Sequence, residues 1–529
     1  MLFTSYEFLA FLALLFLLYY RIPKRGQWML LLGASYLFYA LAGTEYLLFI
    51  LLTTLSSYGA GMLMQRMRDK ESAYLAEMGE SLDKDARKAY RARGKKKRLW
   101  VLVGALVLNF GVLGVLKYTA FALHGINGVL HTFGATHTLR IPDLLLPMGI
   151  SFYTFQSMGY LIDVYRAKAE AQKNPARFAL FVSFFPQLVQ GPISRYADLA
   201  PQLFTPHKAD RRSITFGLQR ILWGYFEKLV VADRIMAAIH VMMDAPESFR
   251  GGYVLLLLLF YSVQIYADFT GGIDITIGIA ETLGIRLTEN FKRPFSSHST
   301  KEYWNRWHIT MGSWFTDYVF YPISVSRPML KLSKWGRKRL GNAVGKRLPV
   351  YLATVVTWYL TGLWHGAGWN FIVWGLLNCL VILVSQELEP LYKKFRAFAP
   401  RLVASRTYGA FMAIRTFLLM GLIRTLDCYR DVGTSFRMWG SMLTTFNWGQ
   451  ILRDWQLLTL SLADYIILAL SILLMFAVSR MGETRSVRER LYDRPVLSWL
   501  AVGGLLVAIL LFGAYGIGYD ATQFIYNQF

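Results

Sequence analysis

Long apolar runs recur from one end of this 529-residue chain to the other. A bilayer takes about 20 apolar residues of helix to cross. Because no water reaches the hydrocarbon, a spanning backbone must satisfy its own hydrogen bonds, as a helix does. Such runs, most of them lengthened by apolar flanks, lie at residues 8–20, 28–42, 46–64, 99–116, 253–265, 371–384, 465–478 and 496–512. The pattern predicts an all-α polytopic membrane protein with roughly 11 to 14 membrane helices.

The positive charge of the chain orients these helices. The net charge is +24, and the bases sit in short loops between apolar runs. Cytoplasmic loops carry such an excess of Lys and Arg, so the pattern places these loops inside and the N-terminus outside. Bases spread over loops do not form the basic face that binds nucleic acid, and we expect no nucleic-acid partner. The basic loops are residues 21–25, 95–98, 327–347, 393–406 and 480–494.

The organisation is that of one transmembrane domain, residues 1–512, followed by a tail, residues 513–529, on the outer side. Residues 65–98 are charged throughout and predict a cytoplasmic helix. Its charges either solvate the helix or dock a cytosolic partner. The two cysteines, Cys379 and Cys428, have no neighbour at metal-ligand spacing, so no metal site is predicted.

A polar, aromatic segment at residues 300–318 interrupts the apolar pattern. Trp304, Trp307 and Trp314 recur at helical spacing, which predicts one continuous helix with an aromatic face. It is too polar for a plain membrane span, so an interfacial or re-entrant helix is expected. The aromatic face either anchors the helix at the interface or lines a site that includes His308.

A second segment holds His365 between glycines and tryptophans, in the letters GLWHGAGW at residues 362–369. A histidine here is either a packed, hydrogen-bonded side chain or a reactive one. A neutral imidazole can take the proton of a hydroxyl group that attacks a carbonyl, and its usual pKa of about 6.5 suits that reaction. Hydropathy alone puts His365 in a turn between two spans.

At these segments the sequence resembles the membrane-bound O-acyltransferase family. The resemblance is to the bacterial branch that acts in O-acetylation of alginate and peptidoglycan and in D-alanine transfer to teichoic acids. It covers about residues 1–385 well and the remainder more loosely. The matching blocks, in family order, are residues 146–156, 160–166, 185–193, 268–271, 289–295, 303–309 and 362–366.

The resemblance implies a fold with a central tunnel and a catalytic region at residues 286–385. It implies that His365 is the catalytic histidine, inside the membrane, and that His308 is a second histidine needed for activity. The thioester donor would be acyl-CoA or an acyl carrier protein, with no tightly bound cofactor. The residues expected to bind the substrate are Lys292, Arg293, Trp304, Asn305, Arg306 and Trp307, and Lys301 is a further base that could attract the phosphates of the donor.

The resemblance also implies a bacterial cytoplasmic membrane location and an extracytoplasmic partner, an SGNH-type acyltransferase, which moves the acyl group to a cell-envelope or secreted polysaccharide. The last six residues, Phe524 to Phe529, resemble the C-terminal motif of the small companion peptide of the D-alanine system. That likeness makes Tyr526 a candidate acyl acceptor, while an amphipathic anchor is the other interpretation.

Two other functions stay open at this point. A D-alanyl transferase would share the fold. A transporter or flippase would need paired carboxylates at the membrane midplane and an internal repeat. The nearest carboxylates of that kind are Asp268 and Asp274.

Overall fold

The computed structural model describes residues 3–78, 81–135, 137–483 and 485–514. Regular structure in these ranges is helical, apart from an isolated antiparallel bridge between Phe291 and Trp307. The predicted all-α class is therefore confirmed. Within the described ranges the chain forms two compact units, Met1–Ile214 with Ala280–Leu287, and Thr215–Ile279 with Thr288–Phe529.

The first unit is built mainly from eight α-helices among its described residues. They are α1 Tyr6–Arg21, α2 Gln27–Ala40, α3 Leu47–Glu77, α4 Lys84–Thr132, α5 Ile150–Tyr165, α6 Pro175–Ser183, α7 Phe185–Leu188 and α8 Tyr196–Phe204. Two 3₁₀ turns, Lys24–Gly26 and Thr44–Tyr46, join the first three helices.

The charged stretch at residues 65–98 forms the facing ends of α3 and α4 instead of one helix. Arg98 on α4 and Glu71 on α3 form a largely buried salt bridge of 2.6 Å. The rings of Tyr74 and Tyr90 stack above it at 4.5 Å. These two contacts hold the charged ends together as a helical hairpin.

Helix α9, Arg211–Tyr225, leads from the first unit into the second and continues through a π-helical segment, Phe226–Ala232. The helices that follow are α10 Asp233–Asp244, α11 Gly252–Thr282, α12 Thr300–Arg306, α13 Ile309–Phe315, α14 Tyr321–Ser324, α15 Arg327–Leu340, α16 Asn342–His365, α17 Trp369–Glu387, α18 Glu389–Phe398, α19 Pro400–Val403, α20 Arg406–Tyr429, α21 Val432–Thr444, α22 Trp448–Arg453, α23 Leu462–Met481, α24 Val487–Tyr492 and α25 Pro495–Phe512. Between them lie 3₁₀ turns at Pro294–Ser296 and Trp455–Leu458 and a second π-helical segment at Thr316–Phe320.

Seven helices in the described ranges are long and apolar enough to cross a membrane, which makes the chain a multi-pass membrane protein. The sequence led us to expect roughly 11 to 14 membrane segments. The numbers differ because several apolar runs form helices shorter than a full span: α1 has 16 residues and α2 has 14. The seven are helical segments Thr44–Glu77, Lys84–Thr132, Gly252–Thr282, Trp369–Glu387, Arg406–Tyr429, Leu462–Met481 and Pro495–Phe512.

Glycines bring α9 against α11 within the second unit. A Cβ atom on Gly224 would lie 2.4 Å from the carbonyl oxygen of Gly271, and one on Gly278 would lie 2.7 Å from the carbonyl oxygen of Gly217. These separations are too short for any side chain, so the two backbones are in direct contact. This contact places the charged groups of α9 beside those of α11.

Candidate active site

His308 stands at a break in the aromatic segment. Helix α12 ends at Arg306, and α13 begins at Ile309. Between them Trp307 is extended and His308 is left-handed, with φ 48° and ψ 52°. The predicted continuous helix over residues 300–318 is therefore wrong, because a left-handed residue cannot continue a right-handed helix.

A short antiparallel pairing replaces the helical hydrogen bonds at this break. The amide of Lys292 donates to the carbonyl of Arg306 at 2.9 Å, and the amide of Ile309 donates to the carbonyl of Asn290 at 3.0 Å. Residues 290–292 thus run alongside residues 306–309. The pairing satisfies backbone groups that a broken helix would leave without partners.

The His308 ring is fully buried, and Asn290 orients it. Its Nδ1 lies 3.3 Å from Oδ1 of Asn290, and the same oxygen accepts from the amide and the hydroxyl of Thr310 at 3.1 and 2.9 Å. Because the Thr310 amide is a fixed donor, the Asn290 atom that faces it must be the oxygen. Nδ1 therefore carries the ring proton, and Nε2 carries the lone pair.

Burial lowers the pKa of His308 to about 3. Removal from water disfavours the charged imidazolium, so the ring is neutral at physiological pH. The ring of Phe269 on α11 packs edge-on against it at 4.9 Å between centroids. His308 is thus a neutral group in an aromatic setting.

The position of Asn290 depends on its neighbour Glu289. Both carboxylate oxygens of Glu289 accept from Arg220 on α9, each at 2.6 Å. Arg220 also donates to Oδ1 of Asp274 on α11, at 2.8 and 2.7 Å. Burial alone would raise the pKa of Glu289, but the Arg220 guanidinium outweighs it and the net pKa is lowered. A charged fork therefore fixes the segment that holds His308.

His365 is the last residue of α16, and α17 begins four residues later at Trp369. The turn that hydropathy predicts between two helices is present. Glycines allow the close crossing of α16 and α17: a Cβ on Gly362 would lie 2.5 Å from the Phe371 carbonyl, and one on Gly375 would lie 2.5 Å from the Trp358 carbonyl. The glycines of this segment therefore serve helix packing beside His365.

Trp364 brings the two histidines into one site. Its ring lies 5.0 Å from the His365 ring and 5.6 Å from the His308 ring, between centroids. The two histidines can be no farther apart than the sum of these distances. His308, just before α13, and His365, at the end of α16, therefore both contact one indole.

A cluster of tryptophans surrounds His365. Trp374 on α17 lies 4.6 Å from the His365 ring, and Trp304 on α12 lies 5.6 Å from Trp374. Trp358 packs against Trp304 at 4.9 Å. The Trp304 indole also donates to Oδ1 of Asn378 at 3.2 Å. Trp304, one of the predicted binding residues, is thus fixed beside the His365 region.

Trp307, the extended residue that follows α12, is buried, and the Arg424 guanidinium lies 4.0 Å from its ring centroid. Arg424 also donates to the hydroxyl of Tyr303 at 2.9 Å. Arg424, which lies on α20, therefore holds Trp307 through a cation–π contact and Tyr303 of α12 through a hydrogen bond.

The polar residues predicted to bind substrate lie nearer the surface. Arg306 pairs with Glu302 at 2.6 Å, and Arg293 pairs with Glu483 at 2.8 Å. A second set is exposed: Lys292, Lys301 and Asn305. Tyr526 lies outside the described residues.

Sequence reasoning did not select Arg220, Phe269, Asn290, Trp374 or Arg424 as site residues. Asn290 and Phe269 stand within blocks already noted, residues 289–295 and 268–271. Arg220 and Arg424 reach the site only through the packing of α9 and α20, for which the sequence carries no local signal.

Comparison with known proteins bears on what such a site does. Residues 171–337 match the family model described as "MBOAT, membrane-bound O-acyltransferase family". A protein of Azotobacter vinelandii named "Probable alginate O-acetylase AlgI" is 31% identical over 503 residues, which cover 94% of this chain and 90% of that protein.

Two further relatives are similar over shorter stretches. The peptidoglycan O-acetyltransferase of Helicobacter pylori is 32% identical over 335 residues, 58% of this chain and 59% of its own length. The teichoic acid D-alanyltransferase of Bacillus subtilis is 27% identical over 259 residues, 48% of this chain and 62% of its own length.

The Arg220 fork yields a prediction on stability. Arg220→Gln leaves Glu289 and the buried Asp274 without their base, and we expect the free energy of unfolding to fall by about 3 kcal/mol. In the double variant Arg220→Gln/Glu289→Gln, part of this loss should be restored. The measurement is reversible unfolding in detergent for the two single variants and the double variant. Strictly additive losses would contradict the coupling.

The buried state of His308 yields a prediction on pH dependence. Its pKa is about 3 when folded and about 6.5 when unfolded, so only the unfolded chain takes up the proton as the pH falls below 6.5. Stability should therefore decline by about 3 kcal/mol between pH 6.5 and pH 4 because of this residue. His308→Gln removes that contribution, so its unfolding free energy should depend less steeply on pH in this range. Equal slopes for the two proteins would contradict a buried neutral His308.

Proposed function

The chain belongs to the membrane-bound O-acyltransferase family and is a multi-pass membrane acyltransferase, and from this we propose that it takes an acetyl group from a cytoplasmic thioester and passes it across the bacterial cytoplasmic membrane. The acetyl group then serves the O-acylation of a cell-envelope or secreted polysaccharide. The observation that carries the proposal is the meeting of His365 and His308 on Trp364.

In the proposed reaction His365 is the general base. Its imidazole takes the proton of the acceptor hydroxyl while the hydroxyl oxygen attacks the thioester carbonyl. A C–O bond forms and the C–S bond breaks, and the imidazolium returns the proton to the departing thiolate. The His365 side chain is half-buried, its Nε2 is shielded from solvent, and the ring packs against Trp364 and Trp374; a water-excluded setting of this kind suits proton transfer to a bound substrate.

His308 takes a different role in this proposal. Since Nδ1 donates to Asn290, Nε2 can only accept a hydrogen bond, so this tautomer cannot stabilise an oxyanion. We assign His308 to orienting the reactive imidazole of His365, because the single proton of the acceptor hydroxyl goes to His365. The exposed Asn305 amide is assigned to contact with the bound donor.

The donor is proposed to be acyl-CoA or an acyl-carrier-protein thioester, which would bind at the basic segment of residues 292–306. Lys292 and Lys301 are exposed and can attract phosphates, whereas Arg293 and Arg306 must exchange their glutamate partners to do so. The indoles of Trp304 and Trp307 would flank the donor. The packed tryptophans beside His365 favour a small acyl group.

The acceptor side is proposed from the relatives' names, which cite alginate and peptidoglycan. Such glycans lie outside the membrane, so a separate extracytoplasmic acyltransferase of the SGNH type would complete the transfer. Tyr526 is the proposed carrier of the acetyl group between the two enzymes, since a phenol ester is a better leaving group than a sugar ester.

D-alanyl transfer is the second candidate, because one relative is named a teichoic acid D-alanyltransferase. Coverage of 94% of the chain by the alginate relative, against 48% for the D-alanyl relative, favours acetyl transfer. Ion-coupled transport has less support. Asp268 and Asp274 each pair with a base, Lys228 and Arg220, at 2.7 Å, whereas the family to which the chain belongs is one of acyltransferases.

The test of this function uses cells that lack the chromosomal copy and carry one of three forms of the protein. The wild type should restore alkali-labile acetate on the purified surface glycan, and His365→Ala should reduce it to the background of the deletion. His240→Ala, at an exposed histidine on α10, is the matched control and should behave as the wild type. Full acetate with His365→Ala, at equal protein level, would refute the assignment of His365.

The acyl relay makes its own prediction at Tyr526. Both Tyr526→Ala and Tyr526→Phe lack the hydroxyl, so both should abolish transfer to the glycan, and top-down mass spectrometry of wild-type protein should show an acetyl increment on the C-terminal peptide that His365→Ala removes. Transfer that survives Tyr526→Phe but not Tyr526→Ala would refute the relay and favour an anchoring tail. An alanyl increment would move the chain to the D-alanylation branch.

A further inference from the structure

A large cleft opens in the second unit away from the two histidines. Its volume is about 1730 Å³, and its walls come mainly from α12, α17, α18, α20 and α23. Three of these helices, α17, α20 and α23, are long and apolar enough to span the membrane. The residues they contribute lie in the last turns of α17 and α23 and the first turns of α20. The cleft therefore lies at the same depth in the membrane along all three helices.

This depth is at the cytoplasmic side of the membrane. The segments that follow α17 and α23 and precede α20 are the basic stretches at residues 393–406 and 480–494. The positive-inside rule puts such stretches in the cytoplasm. The cleft thus sits where the cytoplasmic headgroup layer meets the hydrocarbon.

The interior of the cleft is apolar. Ile382, Ile414, Phe417 and Phe476 line it, and Ile414 and Phe476 are 59% and 68% exposed. Exposed aliphatic and aromatic surface between spans is stabilised by covering it with other apolar groups. An acyl chain of a lipid would do so.

The rim of the cleft carries uncompensated positive charge. Arg396 is neutralised locally by Glu389 at 2.5 Å, whereas Arg480 shares the single carboxylate of Glu483 with Arg293, at 2.7 and 2.8 Å. Three others, Lys301, Arg406 and Arg415, have no acidic side chain within salt-bridge distance in the part of the chain that the structure describes. Arg415 instead donates to the carbonyl of His298 at 3.0 Å.

We propose that this cleft binds an anionic phospholipid of the cytoplasmic leaflet, with its phosphate at Arg406 and Arg415 and an acyl chain along Ile414, Phe417 and Phe476. An arginine guanidinium can donate two parallel hydrogen bonds to two oxygens of one phosphate. Basic side chains at the membrane surface also favour anionic over zwitterionic lipid. The volume exceeds the roughly 300–1,000 Å³ of ordinary small-molecule pockets, as an amphiphile with long chains requires.

The bound lipid would touch the active-site framework. Thr300 and Lys301 line the cleft and form the first turn of α12, whose Trp304 packs into the tryptophan cluster at His365. A lipid that steadies this turn would steady Trp304. This consequence, stimulation of acyl transfer by anionic lipid, rests on the proposed function, whereas lipid binding itself does not.

Native mass spectrometry of the full-length protein tests the binding. The protein is released from micelles that hold equal amounts of phosphatidylglycerol and phosphatidylethanolamine with the same chains. The wild type should retain phosphatidylglycerol in preference, and Arg406→Gln/Arg415→Gln should weaken that preference by about fivefold for each charge removed. The matched control is Arg401→Gln, an exposed base on α19 that lies outside the cleft lining.

Several outcomes would overturn the proposal. They are equal retention of both lipids by the wild type, an unchanged preference in the double variant, or the same loss in the Arg401→Gln control. If acetyl-CoA displaces phosphatidylglycerol one for one, the cleft belongs to the thioester donor and the lipid assignment is wrong. His365→Ala separates this test from the enzymatic one, because it should keep the lipid preference while it loses acyl transfer.

Discussion

The fork between Arg220 and Glu289 is the interaction on which the site depends. It fixes residue 289, and the next residue, Asn290, holds His308 through Nδ1. His308 has a left-handed backbone, which costs about 1–3 kcal/mol in a residue other than glycine. Such a conformation persists only where its surroundings determine it. The Asn290 side chain and the paired segment at residues 290–292 provide those surroundings.

Two clusters of charge in this unit each join one base to two carboxylates. Arg220 meets Asp274 and Glu289, and fully buried Lys228 meets Asp233 and Asp268 at 2.7 Å. Carboxylates and bases removed from water are costly unless they are paired and hydrogen-bonded, so each base stabilises both of its carboxylates. Direct contact between the α9 and α11 backbones, through Gly224 and Gly271, allows these side chains to meet. Phe269, which also lies on α11, packs directly against the His308 ring.

Much of this architecture could be predicted from the sequence because it follows from local pattern. The named apolar runs predicted six of the seven candidate spans in the described ranges, all but Arg406–Tyr429, and the letters around His365 predicted a glycine-rich turn between two helices. The family resemblance pointed to His308 and His365 together. The helical spacing of Trp304, Trp307 and Trp314 was misleading, since the break at His308 arises from tertiary pairing with residues 290–292 that overrides local propensity. Arg220 and Arg424 reach the site from helices that are distant in sequence, and no local sequence pattern predicts these contacts.

The central claim is that His365 removes the proton of the accepting hydroxyl. It is tested most directly with the purified protein in nanodiscs, by the rate at which it releases thiol from acetyl-CoA in a single turnover as the pH is varied. The account predicts that the wild type releases thiol and that His365→Gln loses this rate. It also predicts that the fully buried His308, with a pKa of about 3, contributes no titration near neutral pH. An undiminished rate in His365→Gln, with the same pH profile as the wild type, would contradict it.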